Sequence, residues 1–307
     1  MKDLLSTNGL TKKFGRYKVV NAVNAVNIHI RQGDIYGLIG RNGAGKTTIL
    51  KMISGLVAPT EGDFSLFEKS GKAAYQYMSR IGTLIEAPGI YPNMSAYENM
   101  KLKCIAMGVR KQGVIEELLN TVGLGTVGKK KVKNFSLGMK QRLGIALALV
   151  GDPDLVILDE PINGLDPQGI AEVRETLFKL NKEKNITFII SSHILEELSK
   201  IATNYGIIHD GVLIKEMTRE ELLAECSERI ELKTDDTGKA CTVLENMGIH
   251  QYKVVDVDTI QIFERLNDGG SITMTLAENG VKTVGITIKN EALEDYYLNL
   301  TGGASNV

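Results

Sequence analysis

The sequence predicts an α/β protein with a parallel central sheet, and three patterns support that fold class. Short apolar runs alternate with helical segments along most of the chain, the order expected of strands joined by crossover helices. A glycine-rich loop at residues 40–47 stands between one such run and a helical segment. The run at residues 155–158 is continuously apolar and ends in two acids, as expected for a strand buried on both faces.

The elements of the first two-thirds of the chain follow from these patterns. Residues 19–32 alternate apolar and polar side chains, which predicts one half-buried strand. Residues 34–39 predict a buried strand, and residues 47–56 predict the helix that follows the glycine-rich loop. Later in the chain we predict helices at 114–122, 136–150 and 167–184, strands at 155–158 and 186–190, and a hairpin at 204–215 that turns at Asp210-Gly211.

The pattern changes after about residue 226. Predicted strands at 229–233, 252–255, 259–263 and 282–288 are interleaved with predicted helices at 238–247, 270–279 and 291–300. We therefore predict two domains, a larger one at 1–226 with a helical subdomain at about 85–150, and a small accessory α+β domain at 227–307.

Composition limits the classes of function. The net charge is −1, so no global positive field attracts nucleic acid, and we expect no nucleic-acid partner. The three cysteines show no CxxC spacing, which favours a reducing cytoplasm over a disulfide framework. No apolar run approaches the ~20 residues that a membrane helix needs. A protein of this kind that serves a membrane has to dock to it from outside.

The glycine-rich loop, GRNGAGKT, matches the phosphate-binding pattern G-x-x-x-x-G-K-[ST]. Glycines at these positions let backbone N–H groups surround phosphate oxygens. Lys46 is expected to reach the β- and γ-phosphates, and the Thr47 hydroxyl to bind Mg²⁺. The loop alone leaves GTPases, kinases and helicases open. The nucleotide contacts predicted here are Gly40, Arg41, Asn42, Gly43, Ala44, Gly45, Lys46, Thr47 and Thr48.

Asp159 and Glu160 follow the apolar run at residues 155–158. Ligands bind open α/β sheets at the carboxyl ends of their strands. We expect Asp159 to hold Mg²⁺, directly or through water, and Glu160 to act as the general base for an attacking water.

Further motifs resemble those of ABC ATPases. Residues 134–142, NFSLGMKQR, resemble the family's signature motif, residues 163–166, NGLD, its D-loop, and His193 its switch histidine. Phe14 resembles the aromatic residue that stacks on adenine. The resemblance implies that Ser136, Gly138 and Asp166 contact ATP at a dimer interface, and that His193 acts in catalysis with Glu160.

That resemblance also implies partners and a location. Two chains would close head-to-tail around two ATP molecules and two Mg²⁺ ions, and would drive a separate integral membrane permease from the inner face of the cell membrane. Two other interpretations stay open. One is a soluble ABC ATPase that acts on ribosomes or DNA, and the other is a regulatory ABC subunit with weak hydrolysis.

The chain departs from the family pattern at three positions. Glu86 stands where most members have a glutamine that senses the metal, and we expect it to lie near Mg²⁺. Leu137 and Met139 replace a glycine and a glutamine of the signature. These departures, with residues 85–99 and the C-terminal segment, resemble the ATPases of bacitracin-resistance and lantibiotic-immunity exporters. That subfamily implies export of peptide antibiotics.

A basic run at residues 129–133, KKKVK, precedes the signature. It could face membrane phospholipid, the permease or a nucleotide, although a solvated loop is the more common role of such a run.

Overall fold

The computed structural model describes residues 3–15, 20–226, 228–289 and 293–302. The chain forms two compact units, Met1–Arg219 and Glu220–Val307. The predicted domain boundary, 226/227, adjoins Ser227, which lies outside the described residues. In the described part of the chain, no helix combines the length and the apolar character needed to cross a membrane.

The first unit contains two sheets and the helices around them. Its strands are β1 (Asp3–Phe14), β2 (Val20–Val26), β3 (His29–Arg31), β4 (Ile35–Ile39), β5 (Glu61–Leu66), β6 (Lys69–Ser70), β7 (Ile81–Leu84), β8 (Leu155–Asp159), β9 (Thr187–Ser192), β10 (Asn204–His209) and β11 (Val212–Thr218). Its helices are α1 (Lys46–Ile53), α2 (Ala96–Ala106), α3 (Val114–Thr121), α4 (Leu137–Ala148), α5 (Pro167–Lys184) and α6 (Leu195–Ser199), and α7 (Arg219–Glu225) begins at the end of the unit.

The central sheet has the strand order β11-β10-β4-β9-β8-β7. All neighbours pair in parallel except β10 and β11, which form the antiparallel hairpin. Every residue of β4, β8 and β9 is buried, because helices cover both faces of a parallel sheet. The predicted α/β class with a parallel sheet is confirmed, and the carboxyl ends of β4, β7, β8 and β9 meet at one edge.

The second sheet is antiparallel, with the order β2-β1-β5-β6 and β3 also paired to β1. The prediction of one strand at 19–32 is wrong, because β2 ends at Val26 and β3 begins at His29. The buried Thr7 hydroxyl explains the break: it donates to the Val26 carbonyl at 2.9 Å and accepts the Ile28 N–H at 2.8 Å. These bonds replace the ladder bonds that a continuous strand would make there.

Helices α2, α3 and α4 follow β7 and precede β8 in the sequence, and they pack against one another. The sequence patterns indicated α3 and α4 but missed α2. A capping box fixes its start, since Ser95 Oγ accepts the Glu98 N–H and the Glu98 carboxylate accepts the Ser95 N–H. A second backbone segment, residues 131–133, lies beside this helix start.

The second unit is a small α+β structure. Its sheet runs β13-β14-β12-β15, formed by β12 (Arg229–Thr234), β13 (Tyr252–Val254), β14 (Thr259–Ile262) and β15 (Thr283–Lys289). Helices α8 (Thr237–Asn246) and α9 (Gly269–Glu278) share its apolar core, and α10 (Leu293–Leu300) follows. The predicted last helix began at residue 291, which lies outside the described residues.

Candidate functional site

The glycine-rich loop connects the end of β4 to the start of α1. Gly45 has φ +105°, and a Cβ there would lie 2.5 Å from the Ala22 carbonyl oxygen, so the position admits only glycine. Lys46 is 5% exposed, and its Nζ donates to the Gly40 carbonyl at 2.6 Å. The ammonium group therefore curls back over the loop. A pocket of about 190 Å³ lies there, lined by Ala22, Arg41, Asn42, Gly43, Gly45, Lys46, Thr47, Thr48 and Glu160.

Asp159 at the end of β8 lies directly opposite Thr47. The Thr47 hydroxyl donates to Asp159 Oδ2 at 2.9 Å. A carboxylate and a hydroxyl that converge beside a phosphate-binding loop fit Mg²⁺, which prefers oxygen ligands and keeps most of its positions for water and substrate phosphates. No group of three or more His, Cys, Asp or Glu side chains within the described ranges is arranged to hold a metal ion by itself. This donor set fits an ion delivered with a nucleotide.

The Glu160 carboxylate contacts both the phosphate-loop lysine and His193. Its Oε1 lies 3.2 Å from Lys46 Nζ, and its Oε2 lies 2.9 Å from His193 Nδ1. With a carboxylate as its neighbour, His193 Nδ1 acts as the donor in this contact. Glu160 has φ +49°, a left-handed conformation that is uncommon for glutamate and concentrates at functional sites. The structure thus brings Lys46, Glu160 and His193 together.

Ser191 is a residue of this site that the sequence analysis did not single out. Its fully buried hydroxyl donates to Asp159 Oδ1 at 2.6 Å and accepts the backbone N–H of Glu160 at 2.9 Å. The sequence offered a partial signal, because Ser191 directly follows the predicted strand at 186–190 as Asp159 follows the one at 155–158. The structure pairs these strands in parallel and places Asp159 opposite Ser191. A serine at the end of the second strand therefore faces the acid at the end of the first.

Ser136, Gly138 and Asp166 meet at a different pocket of the first unit. Ser136 is the N-cap of α4 and accepts the Met139 N–H at 3.2 Å, and Asp166 is the N-cap of α5 and accepts the Gly169 N–H at 3.0 Å. The pocket measures about 460 Å³ and shares no lining residue with the glycine-loop pocket. The positive end of α4 favours an anion there.

Phe14 and Glu86 line neither of these two pockets. The Phe14 ring is 45% exposed at the end of β1, with Lys12 Nζ 5.2 Å from its centroid. The carboxylate of Glu86 forms an ion pair with Lys51 of α1. In the described structure its partner is therefore this lysine, and its assignment as a magnesium ligand stays a prediction.

Comparison with known proteins places these pockets in context. The sequence profile described as ABC transporter matches residues 23–163. The chain is 43% identical to the bacitracin transport ATP-binding protein BcrA of Bacillus licheniformis, over 99% of both chains. It is 46% identical to the lantibiotic transport ATP-binding protein SrtF of Streptococcus pyogenes, over 69% of this chain and 90% of that protein.

Solved structures show the same fold. An ATP-binding cassette in a dimeric post-hydrolysis state with ADP and phosphate matches 70% of this chain and 98% of its own, with a TM-score of 0.63 and 24% identity. The ATP-binding subunit of an ABC transporter matches 72% of this chain and 92% of its own, with a TM-score of 0.62 and 29% identity.

Proposed function

This chain belongs to the family of ABC transporter ATP-binding subunits and hydrolyses ATP, and from that membership we propose that it powers export of a peptide antibiotic through a separate membrane permease. The similarity to the bacitracin transport protein extends over 99% of both chains and carries the substrate class. A lantibiotic is the second candidate substrate, because the lantibiotic transport ATP-binding protein is 46% identical to this chain, although over only 69% of it.

The glycine-loop pocket is the proposed site of the nucleotide. Backbone N–H groups of the loop and the Lys46 ammonium group bind the phosphates, while Phe14 offers a flat apolar face to adenine. Thr47 and Asp159 would hold Mg²⁺, and their side-chain oxygens already lie 2.9 Å apart. When bound, this ion neutralises charge on the phosphate oxygens. We keep Glu86 as a candidate third ligand of the ion.

Glu160 is the proposed general base. It accepts the proton of a water that attacks the γ-phosphate, and His193 orients the carboxylate through the 2.9 Å contact. Ser191 supports both acids by binding the Asp159 side chain and the Glu160 backbone. The ion pair between Lys46 Nζ and Glu160 Oε1, at 3.2 Å, has to break when Lys46 binds the phosphates.

Two copies of the chain complete the site in this proposal. The glycine-loop pocket and the Ser136 pocket of one chain have no lining residue in common, so we assign the Ser136 contacts to the nucleotide of a second copy. A head-to-tail pair with two-fold symmetry brings the Ser136 hydroxyl, the Gly138 N–H and Asp166 of one copy to the phosphates bound by the other.

A groove of about 290 Å³ is the proposed docking surface of the permease. It lies between the end of β7, α2 and α4, and it is lined in part by Leu84, Pro88, Leu102 and Leu147. Its rim is fixed, because Asn99 accepts the Tyr91 N–H at 2.8 Å and donates to the Tyr91 carbonyl at 3.2 Å. An apolar segment of a membrane protein fits this groove. The chain then works on the cytoplasmic face of the membrane.

We assign these roles to a nucleotide-binding domain at residues 1–226 and leave residues 227–307 as an accessory domain. Expression of the chain with its permease in a bacitracin-sensitive host tests the proposal, with Lys46→Ala as the inactive control. The wild type should raise the inhibitory concentration of bacitracin, and the variant should not. Co-purification with ribosomes or DNA, and no change in susceptibility to bacitracin or lantibiotics, would support a soluble ABC ATPase instead.

A further inference from the structure

Positive charge is concentrated in the helical part of the first unit. Residues 91–150 carry ten lysines and arginines but only three glutamates and no aspartate, whereas the whole chain has a net charge of −1. The charge is densest in the basic loop, which we define as Lys129, Lys130, Lys131 and Lys133. The proposed ATPase cycle uses none of these four side chains.

The structure holds the basic loop in a fixed position. All four lysines are exposed, while Val132 between them is 1% exposed and anchors the loop in the core. The Val132 N–H donates to the Met94 carbonyl at 2.9 Å, and the Lys133 N–H donates to the Pro92 carbonyl at 2.8 Å. The loop is therefore fastened to the segment that leads into α2.

The four ammonium groups form no ion pair with a carboxylate in the described part of the chain. The acid next to the loop, Glu98, is engaged by Ser95, whose N–H donates to it at 2.7 Å and whose hydroxyl donates at 2.9 Å. Lys130 Nζ lies 5.8 Å from the centroid of the Phe135 ring. The four exposed lysines are thus a preformed group of like charges at the surface. Holding them together favours any anionic surface that lowers their mutual repulsion.

We propose that the basic loop binds the anionic phospholipid headgroups of the membrane in which the permease lies. The loop is fastened to Pro92 and Met94, which directly follow Tyr91 on the rim of the proposed docking groove. Docking of that groove on a membrane protein brings the lysines close to the bilayer, so this inference rests on the proposed function. Tyr91 is 58% exposed, and tyrosine is a side chain that favours the headgroup region.

The residue types favour a charged lipid surface over other anions. Lysine is a hydrated point charge without the planar fork that gives arginine specific carboxylate pairs, and the loop contains no arginine. Nucleic acid is disfavoured because residues 129–133 contain no aromatic side chain to stack on bases, and the nearby Phe135 ring is buried. Several lysines near an anionic leaflet attract it additively, by about fivefold in partitioning for each lysine that reaches it.

The test is co-sedimentation of the purified full chain with vesicles of phosphatidylcholine, with and without phosphatidylglycerol. We expect binding only to the anionic vesicles, weakened by added salt because the contact is electrostatic. Replacing all four loop lysines with glutamine should lower binding by at least about tenfold. The matched control replaces Lys69, Lys72, Lys179 and Lys253, four exposed lysines elsewhere, and should bind like the wild type.

Four other results would contradict the inference. Equal binding to both vesicle types, or equal losses in both quadruple variants, would leave the loop without a specific role. Lysine-dependent binding to the permease in neutral lipid, without binding to anionic vesicles, would assign the loop to a protein contact. Preference for nucleic acid over vesicles would exclude the lipid role. Because the vesicles contain no permease, a failure here leaves the susceptibility test of the proposed function unaffected.

Discussion

Ser191 Oγ donates a 2.6 Å hydrogen bond to Asp159 Oδ1. The same oxygen accepts the N–H of Glu160, a residue with the left-handed φ of +49°. One buried hydroxyl therefore controls both the acid proposed to hold Mg²⁺ and the acid proposed to activate water. Removing it leaves a buried carboxylate oxygen and a backbone N–H without this partner, which is costly in the interior of a protein.

Ser191→Ala is expected to lower kcat by about tenfold or more, because both acids lose a hydrogen-bond partner. It should also raise the Mg²⁺ concentration that gives half of the maximal rate. Steady-state ATPase measurements over a range of Mg²⁺ concentrations check this. Ser191→Thr keeps the hydroxyl and should restore most of the rate. The control is Ser192→Ala, which removes a neighbouring buried hydroxyl that accepts the Ile194 N–H at 2.9 Å. Equal effects of the two alanine variants would reduce Ser191 to a packing role.

The positions of the phosphate loop and of the acids at the strand ends could be predicted from the sequence more closely than some of the surrounding elements. Strands β4 and β8 are continuous apolar runs, so their ends, and the acids placed there, could be located without a structure. Helix α2 was missed because it carries apolar residues on both sides, with Met100 buried and Ile105 66% exposed. No amphipathic period marks such a helix.

Contacts between side chains far apart in sequence could not be predicted in the same way. Glu86 is predicted beside Mg²⁺ from its motif position, and that assignment stays a prediction, whereas its ion pair with Lys51 of α1 had no signal in the sequence. The contact with Lys51 depends on where the chain turns after β7, and Glu86 in that turn has φ +63°. Composition and spacing carry no information about that turn.

Glu160→Gln is expected to lower the ATPase rate by about 10²-fold or more, since a positioned general base contributes about that much. ATP binding should persist, because the amide occupies the same volume and the phosphate loop is intact. Single-turnover hydrolysis and equilibrium binding of labelled ATP separate the two effects. Hydrolysis at the wild-type rate would remove Glu160 from the role of base.

The ion pair of Lys51 and Glu86 is expected to influence the affinity for ATP when no metal ion is present. Glu86→Gln removes a negative charge near the phosphates and should tighten binding of ATP in EDTA, whereas Lys51→Met leaves that charge uncompensated and should weaken it. Both side chains are partly exposed, at 29% and 65%, so we expect a coupling of about 0.2–1 kcal/mol.

A double-mutant cycle with these two variants checks the pairing. In the Glu86→Gln background, Lys51→Met should have a clearly smaller effect on the ATP dissociation constant than in the wild type. Lys69→Met, a substitution of an exposed lysine on β6, serves as the control. Additive effects of the two substitutions would mean that the ion pair has no influence on the nucleotide.

Tyr36 is expected to make the stability of the first unit sensitive to alkaline pH. Burial, and then the charge of Glu216, raise the pKa of the Tyr36 hydroxyl well above its usual value, and the hydroxyl donates to Glu216 Oε1 at 2.8 Å. The folded state holds the Tyr36 proton more tightly than the unfolded state does. This contribution to the free energy of unfolding is therefore complete below the unfolded pKa of about 10, and it is lost as the pH rises from there through the folded pKa. Tyr36→Phe should flatten the fall of the urea midpoint above about pH 10, while Tyr75→Phe should not.

The shared nucleotide site predicts that dimerisation and ATP binding can be separated. Glu160→Gln should trap a dimer when Mg-ATP is added, because bound ATP is no longer consumed. Adding Ser136→Arg should abolish that dimer by placing a bulky cation in the Ser136 pocket, while each monomer still binds ATP at its own glycine loop. Size-exclusion chromatography with light scattering measures the first property and nucleotide titration the second. A double variant that still dimerises with ATP, or that loses ATP binding as a monomer, would mean that Ser136 does not serve the nucleotide of a second copy.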